Sequence, residues 1–288
     1  MLNRSIFLAL VWFLAGCSTT ALVNQGKVVP KHFYYKTSYT TAKTIMLVPC
    51  EFEGATKNFL FDTGAELSVV VRDSIFGQRF SVRGATNRTM ENGSETLPLL
   101  KISEVAFVNT FANNSKLEGL KEQIPNFGGV LGRPIINKTN WLIDTRNKTV
   151  EISDRDLSDE SFIDLPMLGK KGGAPYTSLT IDGKDYKVIM DFGSSSTFNV
   201  PEGTALAEAL MNRVVFRDSS RNRYTVGGLQ TITEKVGSVP SISIGGLEFQ
   251  NVRTNINISS QPRIGMSFFE GYQIFIDNKN GKYRVKAN

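Results

Sequence analysis

Two stretches of this 288-residue chain share one unusual layout. "FLFDTGAELSVV", Phe59 to Val70, runs apolar residues into Asp-Thr-Gly and then returns to an apolar run. "VIMDFGSSSTFNV", Val188 to Val200, does the same around Asp-Phe-Gly. A carboxylate set between apolar runs is costly to bury unless something partners it. Asp62 and Asp191 stand 191 − 62 = 129 residues apart, and the likeness extends beyond them. Each is followed by a strand-rich segment and then by an apolar pair or near-pair before glycine, "GGVLGRPII" at Gly132 and "PRIGMSFF" at Gly265. The Asp-to-Gly spacings are 70 and 74, and 12 residues past each glycine an aspartate ends an apolar run. Those two are Asp144 in "NWLIDTRNKTVEI" and Asp277 in "YQIFIDNKNGKYRV". Four features recurring in one order mark a duplicated unit, so the chain must fold as two similar halves.

The halves read as strands. "TIMLVPCEFEG" and "KNFLFDTG" are short apolar or alternating runs divided at Gly54, a hairpin-like arrangement, and "LPLLKISEVAFVNTFA" continues the style. Asn92-Gly93 predicts a hairpin turn. Glu202 to Val214, behind Pro201, is the best helical segment among few. The expected class is all-β with a few short helices, an N-terminal half over residues 43–153 and a C-terminal half over 176–288. Residues 154–175, where charge, Gly and Pro accumulate, read as a solvated connection between them.

The N-terminus has the layout of a secretory signal. Arg4 precedes an apolar stretch from about Ile6 to Leu14, too short to span a bilayer, which ends in Leu14-Ala15-Gly16-Cys17. Leu-Ala-Gly-Cys resembles the lipobox of bacterial lipoproteins. The resemblance implies cleavage after residue 16, lipid attachment at Cys17 and, with Ser18 following, an outer-membrane address in the cell envelope. An ordinary signal peptide that happens to hold a cysteine is the alternative. Residues 17–42 then read as a polar tether. Removing residues 1–16 takes away one arginine and leaves a mature charge of 32 − 27 = +5.

What is absent narrows the chemistry. Basic residues are scattered, which argues against nucleic acid as a partner. His32, close to the anchor, is the only histidine and Cys50 the only cysteine besides Cys17, which argues against a Ser-His-Asp triad and against His-rich metal sites. Cys50 lies in an apolar run and reads as a small core residue. No P-loop and no G-x-S-x-G occurs, and no metal or cofactor is expected. Any chemistry falls to carboxylates.

With both copies in view, the chain resembles the retropepsin-like and pepsin-like aspartic peptidases, over roughly Thr44 to Val285. "LFDTGAELSVV" with "GGVLGRPII" is similar to one retropepsin-type half, and "IMDFGSSSTFNV" with "RIGMSFFEGYQIFID" to a second half fused behind it. The resemblance implies two β lobes with a cleft between them, each lending a loop aspartate, here Asp62 and Asp191, to a catalytic dyad. Gly64, Gly193 and Ser194 are the supporting loop positions. The hydroxyl after the first aspartate, on Thr63, is expected to grip the opposite lobe's backbone. Phe192 stands where the second hydroxyl belongs, which puts the activity in question and leaves a peptide-binding protein of the same fold as the alternative.

Two carboxylates in contact share one proton, and which holds it stays open at this level. Ser194 could donate to a carboxylate where Ala65 cannot, so a weakly acidic optimum is expected. Covering hairpins are expected at Phe80–Leu97, turning near Asn92-Gly93, and at Arg223–Thr233, turning at Gly227-Gly228. Asp144 and Asp277 read as strand-ending turn residues. The expected partners are a peptide or protein substrate and, through the lipid, a membrane. Two complete lobes in one chain make a monomer sufficient.

Overall fold

The structure, a computed structural model, describes residues 18–83, 89–225 and 228–288. It is mostly strand, with a few short helices, an all-β fold. The leading strands are β1 (Lys27–Val29), β2 (Tyr34–Ser38) and β3 (Thr40–Ala42). The first lobe holds β4 (Ile45–Phe52), β5 (Ala55–Phe61), β6 (Ser68–Val71), β7 (Phe80–Arg83), β8 (Thr89–Ile102), β9 (Val105–Ser115) and β10 (Phe127–Leu131). Then come β11 (Asn140–Asp144), β12 (Thr149–Ser153) and β13 (Ile163–Asp164). The second lobe holds β14 (Tyr176–Ile181), β15 (Lys184–Met190), β16 (Phe198–Pro201), β17 (Arg217–Thr225), β18 (Gly228–Ile244), β19 (Leu247–Asn257) and β20 (Arg263–Ile264). β21 (Tyr272–Asp277) and β22 (Lys282–Ala287) end the chain.

The duplication is carried in the pairing pattern. In the first lobe the strands join in the order β9-β6-β10-β5-β4-β8, and β8 pairs back to β9. In the second the order is β19-β16-β20-β15-β14-β18, and β18 pairs back to β19. Directions match as well. β10 runs parallel to β5 and antiparallel to β6, just as β20 runs parallel to β15 and antiparallel to β16. Even the turns repeat. Glu53-Gly54 and Asp182-Gly183, again 129 apart, are two-residue loops in which both residues have positive φ. That conformation matches the twist of the flanking strands, and glycine adopts it without a Cβ penalty.

A third sheet, β13-β22-β21-β11-β12-β2, lies at the join. Its centre is β11 against β21, with Leu142 opposite Phe275 and Trp141 opposite Ile276. Asp277 and Asp144 are 133 apart, and adding 133 to Leu142 gives Phe275, its own partner. The pairing is therefore symmetric about that residue pair, which places a pseudo-two-fold axis there. Asp144 and Asp277 each close the turn beyond their strand: Asp144 accepts from the Arg146 and Asn147 N–H groups at 3.0 and 2.8 Å, and Asp277 from that of Asn280 at 3.0 Å. One core of buried side chains runs from Phe61 and Trp141 through Met190 and Phe192 to Phe269 and Ile276. Cys50 is buried within it, and burial pushes its thiol up, away from reactivity.

Four expectations change. The segment expected as a tether is instead folded from Ser18 onwards. Ser18–Asn24 is a helix, β1 pairs with β9, and β2 pairs with β12 through five residues of register. Tyr39 anchors it in the core, and its apolar side chain is the local reason that a polar stretch docks. Asn92-Gly93 is not a turn. Asn92 sits inside β8 opposite Phe80, and the β7–β8 pairing runs on through three more residue pairs to Arg83 opposite Thr89. Residues 84–88 between them lie outside the described residues, as do 226–227 between Thr225 and Gly228 and, at the N-terminus, Cys17. The connecting segment is not merely solvated: β13 joins the third sheet, and Asp164 pairs with Arg284 at 2.8 Å. The helix expected over Glu202–Val214 is shorter, Ala205–Met211, started by the Thr204 hydroxyl accepting from the Ala207 N–H.

Candidate active site

Asp62 follows β5 and Asp191 follows β15, so the duplicated strands deliver both to the meeting of the lobes. The strand holding each pairs in parallel with the apolar strand before Gly132 or Gly265. The Asp62 N–H donates to the Leu131 carbonyl at 3.0 Å and the Asp191 N–H to that of Ile264 at 2.9 Å. Each of those glycines passes against the opposing loop of its own lobe. A Cβ on Gly132 would come within 2.6 Å of the Leu67 backbone, and one on Gly265 would overlap the Ser196 carbonyl.

The two carboxyl groups approach each other across the join: a Cβ on Gly64 would lie 3.0 Å from Asp191 Oδ1 and 3.2 Å from Asp62 Oδ1. Glycine makes that approach possible from both sides. A Cβ on Gly64 would lie 2.9 Å from the Asp191 carboxyl carbon, and one on Gly193 would collide with the carboxyl of Asp62. Each motif glycine thus clears space for the aspartate of the other lobe. The N–H groups of Gly64 and Ala65 donate to Asp62 Oδ1 at 2.8 and 3.0 Å. Burial, then the charge of Asp191 beside it, pushes the Asp62 carboxyl well above the ordinary carboxylate range, and those two N–H groups offset part of the rise.

Thr63 carries the join between the lobes. Its buried hydroxyl donates to the Met190 carbonyl at 2.5 Å and accepts from the Phe192 N–H at 3.0 Å. The grip expected of Thr63 is therefore made in full from the first lobe. Phe192 supplies only its backbone to it. The Phe192 ring turns the other way, fully buried, and stacks edge-on against Phe269 with centroids 6.2 Å apart. It exchanges a hydrogen bond for apolar burial. A further bond crosses the join where the Thr44 hydroxyl donates to the Ser195 carbonyl at 3.0 Å.

Ser194 departs from expectation. Its hydroxyl accepts from the Ser196 N–H at 3.3 Å, and among the described residues it makes no bond to Asp191. The group that does is Arg263, whose Nη1 donates to Asp191 Oδ2 at 2.6 Å with both side chains buried. Sequence reasoning passed over Arg263. The signal was present in the comparison of the copies, where "VLG" of the first half stands against "RIG" of the second. A charge at one position of an otherwise apolar motif needs a partner, and the nearest carboxylate in the fold is Asp191.

The two hairpins expected to cover the site differ from each other. β17 and β18 of the second lobe lie against the helix Glu118–Gln123 of the first, so this hairpin spans the join. At its base Glu234 is buried and paired with Arg221 at 2.6 Å, and Arg221 also donates to the Ser196 hydroxyl at 3.1 Å. In the first lobe Met90 on β8 packs with Ala65, Leu117 and Leu120, an apolar cluster beside the Asp62 loop. The chain matches no protein-family model and no curated protein sequence. Among the described residues no helix is long and apolar enough to cross a membrane.

Proposed function

We propose that the chain is an aspartic endopeptidase, with Asp62 and Asp191 as its dyad. The observation that carries this reading is the close approach of two carboxyl groups, delivered by duplicated strands and locked by Thr63 to the backbone on either side of Asp191. A pair so placed holds one proton between two oxygens-bearing groups and leaves one carboxylate as base. Water held by the pair gives its proton to that carboxylate while its oxygen bonds to the scissile carbonyl carbon. The protonated partner passes its own proton to the carbonyl oxygen, forming a neutral diol. When the C–N bond breaks, the leaving nitrogen takes a proton from one carboxyl and the diol returns one to the other. The dyad is restored, and no group beyond water and these two side chains is required.

The location belongs to the same proposal. Cleavage and lipid attachment at Cys17 would leave only one residue before the helix Ser18–Asn24, so the catalytic body would sit directly on the membrane rather than on a long leash. The apolar surface of Ala65, Met90, Leu117 and Leu120 favours apolar side chains beside the scissile bond.

One observation favours a second reading, a peptide-binding protein of this fold with little turnover: Arg263 already occupies one oxygen of Asp191. Incubating the protein with a mixed peptide library from pH 3 to 7.5, alongside Asp62→Asn and Asp191→Asn, separates the two. Cleavage abolished in both variants supports the peptidase. Folded protein that binds library peptides without cutting them at any pH supports the binder.

A further inference from the structure

The two carboxylates do not sit in equivalent surroundings. Strand registers align Leu60 with Ile189, Val69 with Asn199 and Val130 with Arg263 between the lobes. In the first lobe this face is apolar and covered by the helix Glu118–Gln123, with Leu60, Val69, Val130 and Leu120 in one cluster. In the second, the link from β19 to β20 is Ile258–Pro262, with no helix, and the same face is polar. Arg263 lies there beside Asn199, its Nη2 donating to the Ser260 hydroxyl at 3.4 Å. Its Nη1 meets Asp191 Oδ2, while Asp191 Oδ1 faces Gly64 and Asp62. Asp191 thus has a cation on one oxygen and the dyad partner on the other. Among the described residues the hydrogen-bond donors to the Asp62 carboxyl are the Gly64 and Ala65 N–H groups, with no cation beside it.

We propose that Arg263 is a positioning residue that keeps the Asp191 carboxylate ionised and oriented, so that the proton shared by the pair resides on Asp62. In the reaction this makes Asp191 Oδ1 the base that takes the proton of water, and Asp62 the acid that protonates the scissile carbonyl oxygen. That role rests on the peptidase reading; the placement of the proton does not. The two arginines that hydrogen-bond to the dyad loops are paired with other carboxylates: Arg133, bonded to the Ala65 carbonyl, with Glu66 at 3.2 Å, and Arg221, bonded to Ser196, with Glu234 at 2.6 Å. A full guanidinium charge buried against one member of the pair outweighs both. It also explains why a charged residue persists in an apolar-apolar-Gly strand: without Asp191 the guanidinium would be buried unpaired.

The test is a carbon-13 NMR titration of the full chain labelled at the aspartate carboxyl carbons, with the two signals assigned by their loss in Asp62→Asn and Asp191→Asn. The expected result is an Asp191 signal that stays that of a carboxylate throughout the range in which Asp62 exchanges its proton. In Arg263→Met the order is lost and the first protonation of the dyad moves up by about 1–3 pH units, the usual effect of removing an adjacent arginine. Arg263→Lys, which keeps a cation, retains the order. An Asp191 signal protonated while Asp62 is ionised, or a titration that Arg263→Met leaves unmoved, overturns the proposal. Should Arg263→Met fail to fold, the wild-type order and Arg263→Lys decide it alone. Because the titration is read without turnover, ordered protonation in a chain that cuts no peptide would keep the assignment and remove the peptidase reading. In an active protein, the alkaline limb of the cleavage profile, which is set by loss of the shared proton, moves up with that titration in Arg263→Met.

Discussion

The first and second lobes share strand order, strand direction and even a turn conformation, yet they diverge at the positions that touch the dyad. Behind Asp62 lies an apolar face under a helix; behind Asp191 lies a buried arginine under a short link. After Asp62 comes a hydroxyl that bonds across the lobes, and after Asp191 a ring buried in its own core. Backbone geometry constrains both copies alike, because each must deliver a loop to the same axis. Side chains around the loops are free to differ, provided each buried polar group finds a partner. The result is one geometric dyad made of two chemically unlike carboxyls.

The largest expected effect sharpens this comparison. On the proposed peptidase reading, Asp62→Asn and Asp191→Asn should both reduce peptide cleavage by about 10²–10⁴-fold or more, because each would remove a group that moves a proton in the transition state. Their stabilities should separate. Asp191→Asn leaves the Arg263 guanidinium buried without its counter-charge, at a cost of about 3–5 kcal/mol, while Asp62→Asn removes a crowded carboxyl and should leave the melting temperature unchanged or raised. Equal melting temperatures for the two variants would break the comparison.

Phe192→Thr tests the other difference. In sequence alone a hydroxyl there would offer a second grip, from the second lobe, but the ring fills the core beside Phe269, so the exchange should destabilise by about 3–5 kcal/mol. Thr63→Val removes both cross-lobe bonds and leaves a buried carbonyl and N–H unpaired, costing about 1–3 kcal/mol for each group by denaturant melts. A stable Phe192→Thr with raised activity would mean the second lobe tolerates the first lobe's solution.

The smallest effect is in pH dependence. The Asp62 carboxyl is pushed up in the folded chain, so the folded state favours its protonated form. Its contribution is present at pH below the ordinary carboxylate value and is lost as pH rises through the raised one. Wild type should therefore lose stability over that upper interval relative to Asp62→Asn, which carries no such group. At the acid end, Asp144, Asp156 and Asp164 are held below the ordinary range, Asp164 first by its bond to Lys282, and their contribution fades as pH falls in both proteins alike. Parallel stability curves for wild type and Asp62→Asn across the upper interval would show that Asp62 is not perturbed.

Much of this protein was legible in order and spacing. The repeated Asp-x-Gly, the later glycine and the strand-ending aspartate are set by local chain geometry: a loop, a close backbone approach and a turn each demand particular residues at particular distances along the chain. These alone determined the duplication, the β class and the turn role read for Asp144 and Asp277, whereas the meeting of Asp62 with Asp191 was implied by the resemblance to the aspartic peptidases. The hairpin turn assigned to Asn92-Gly93 failed because a favourable dipeptide is a weaker constraint than a long strand register, which carries Asn92 into β8 opposite Phe80. The docked N-terminal segment was missed because its partners, β9 and β12, lie far along the chain.

Only the tertiary structure decided what surrounds each carboxyl. Arg263 is 72 residues from Asp191, and whether it meets the carboxylate or solvent depends on the register of β20 against β15 and on the absence of a helix in the link before it. Phe192 could have faced the join or the core, and packing against Phe269 settled the choice. Electrostatics and packing act between side chains brought together by folding, so distance along the chain carries no record of them.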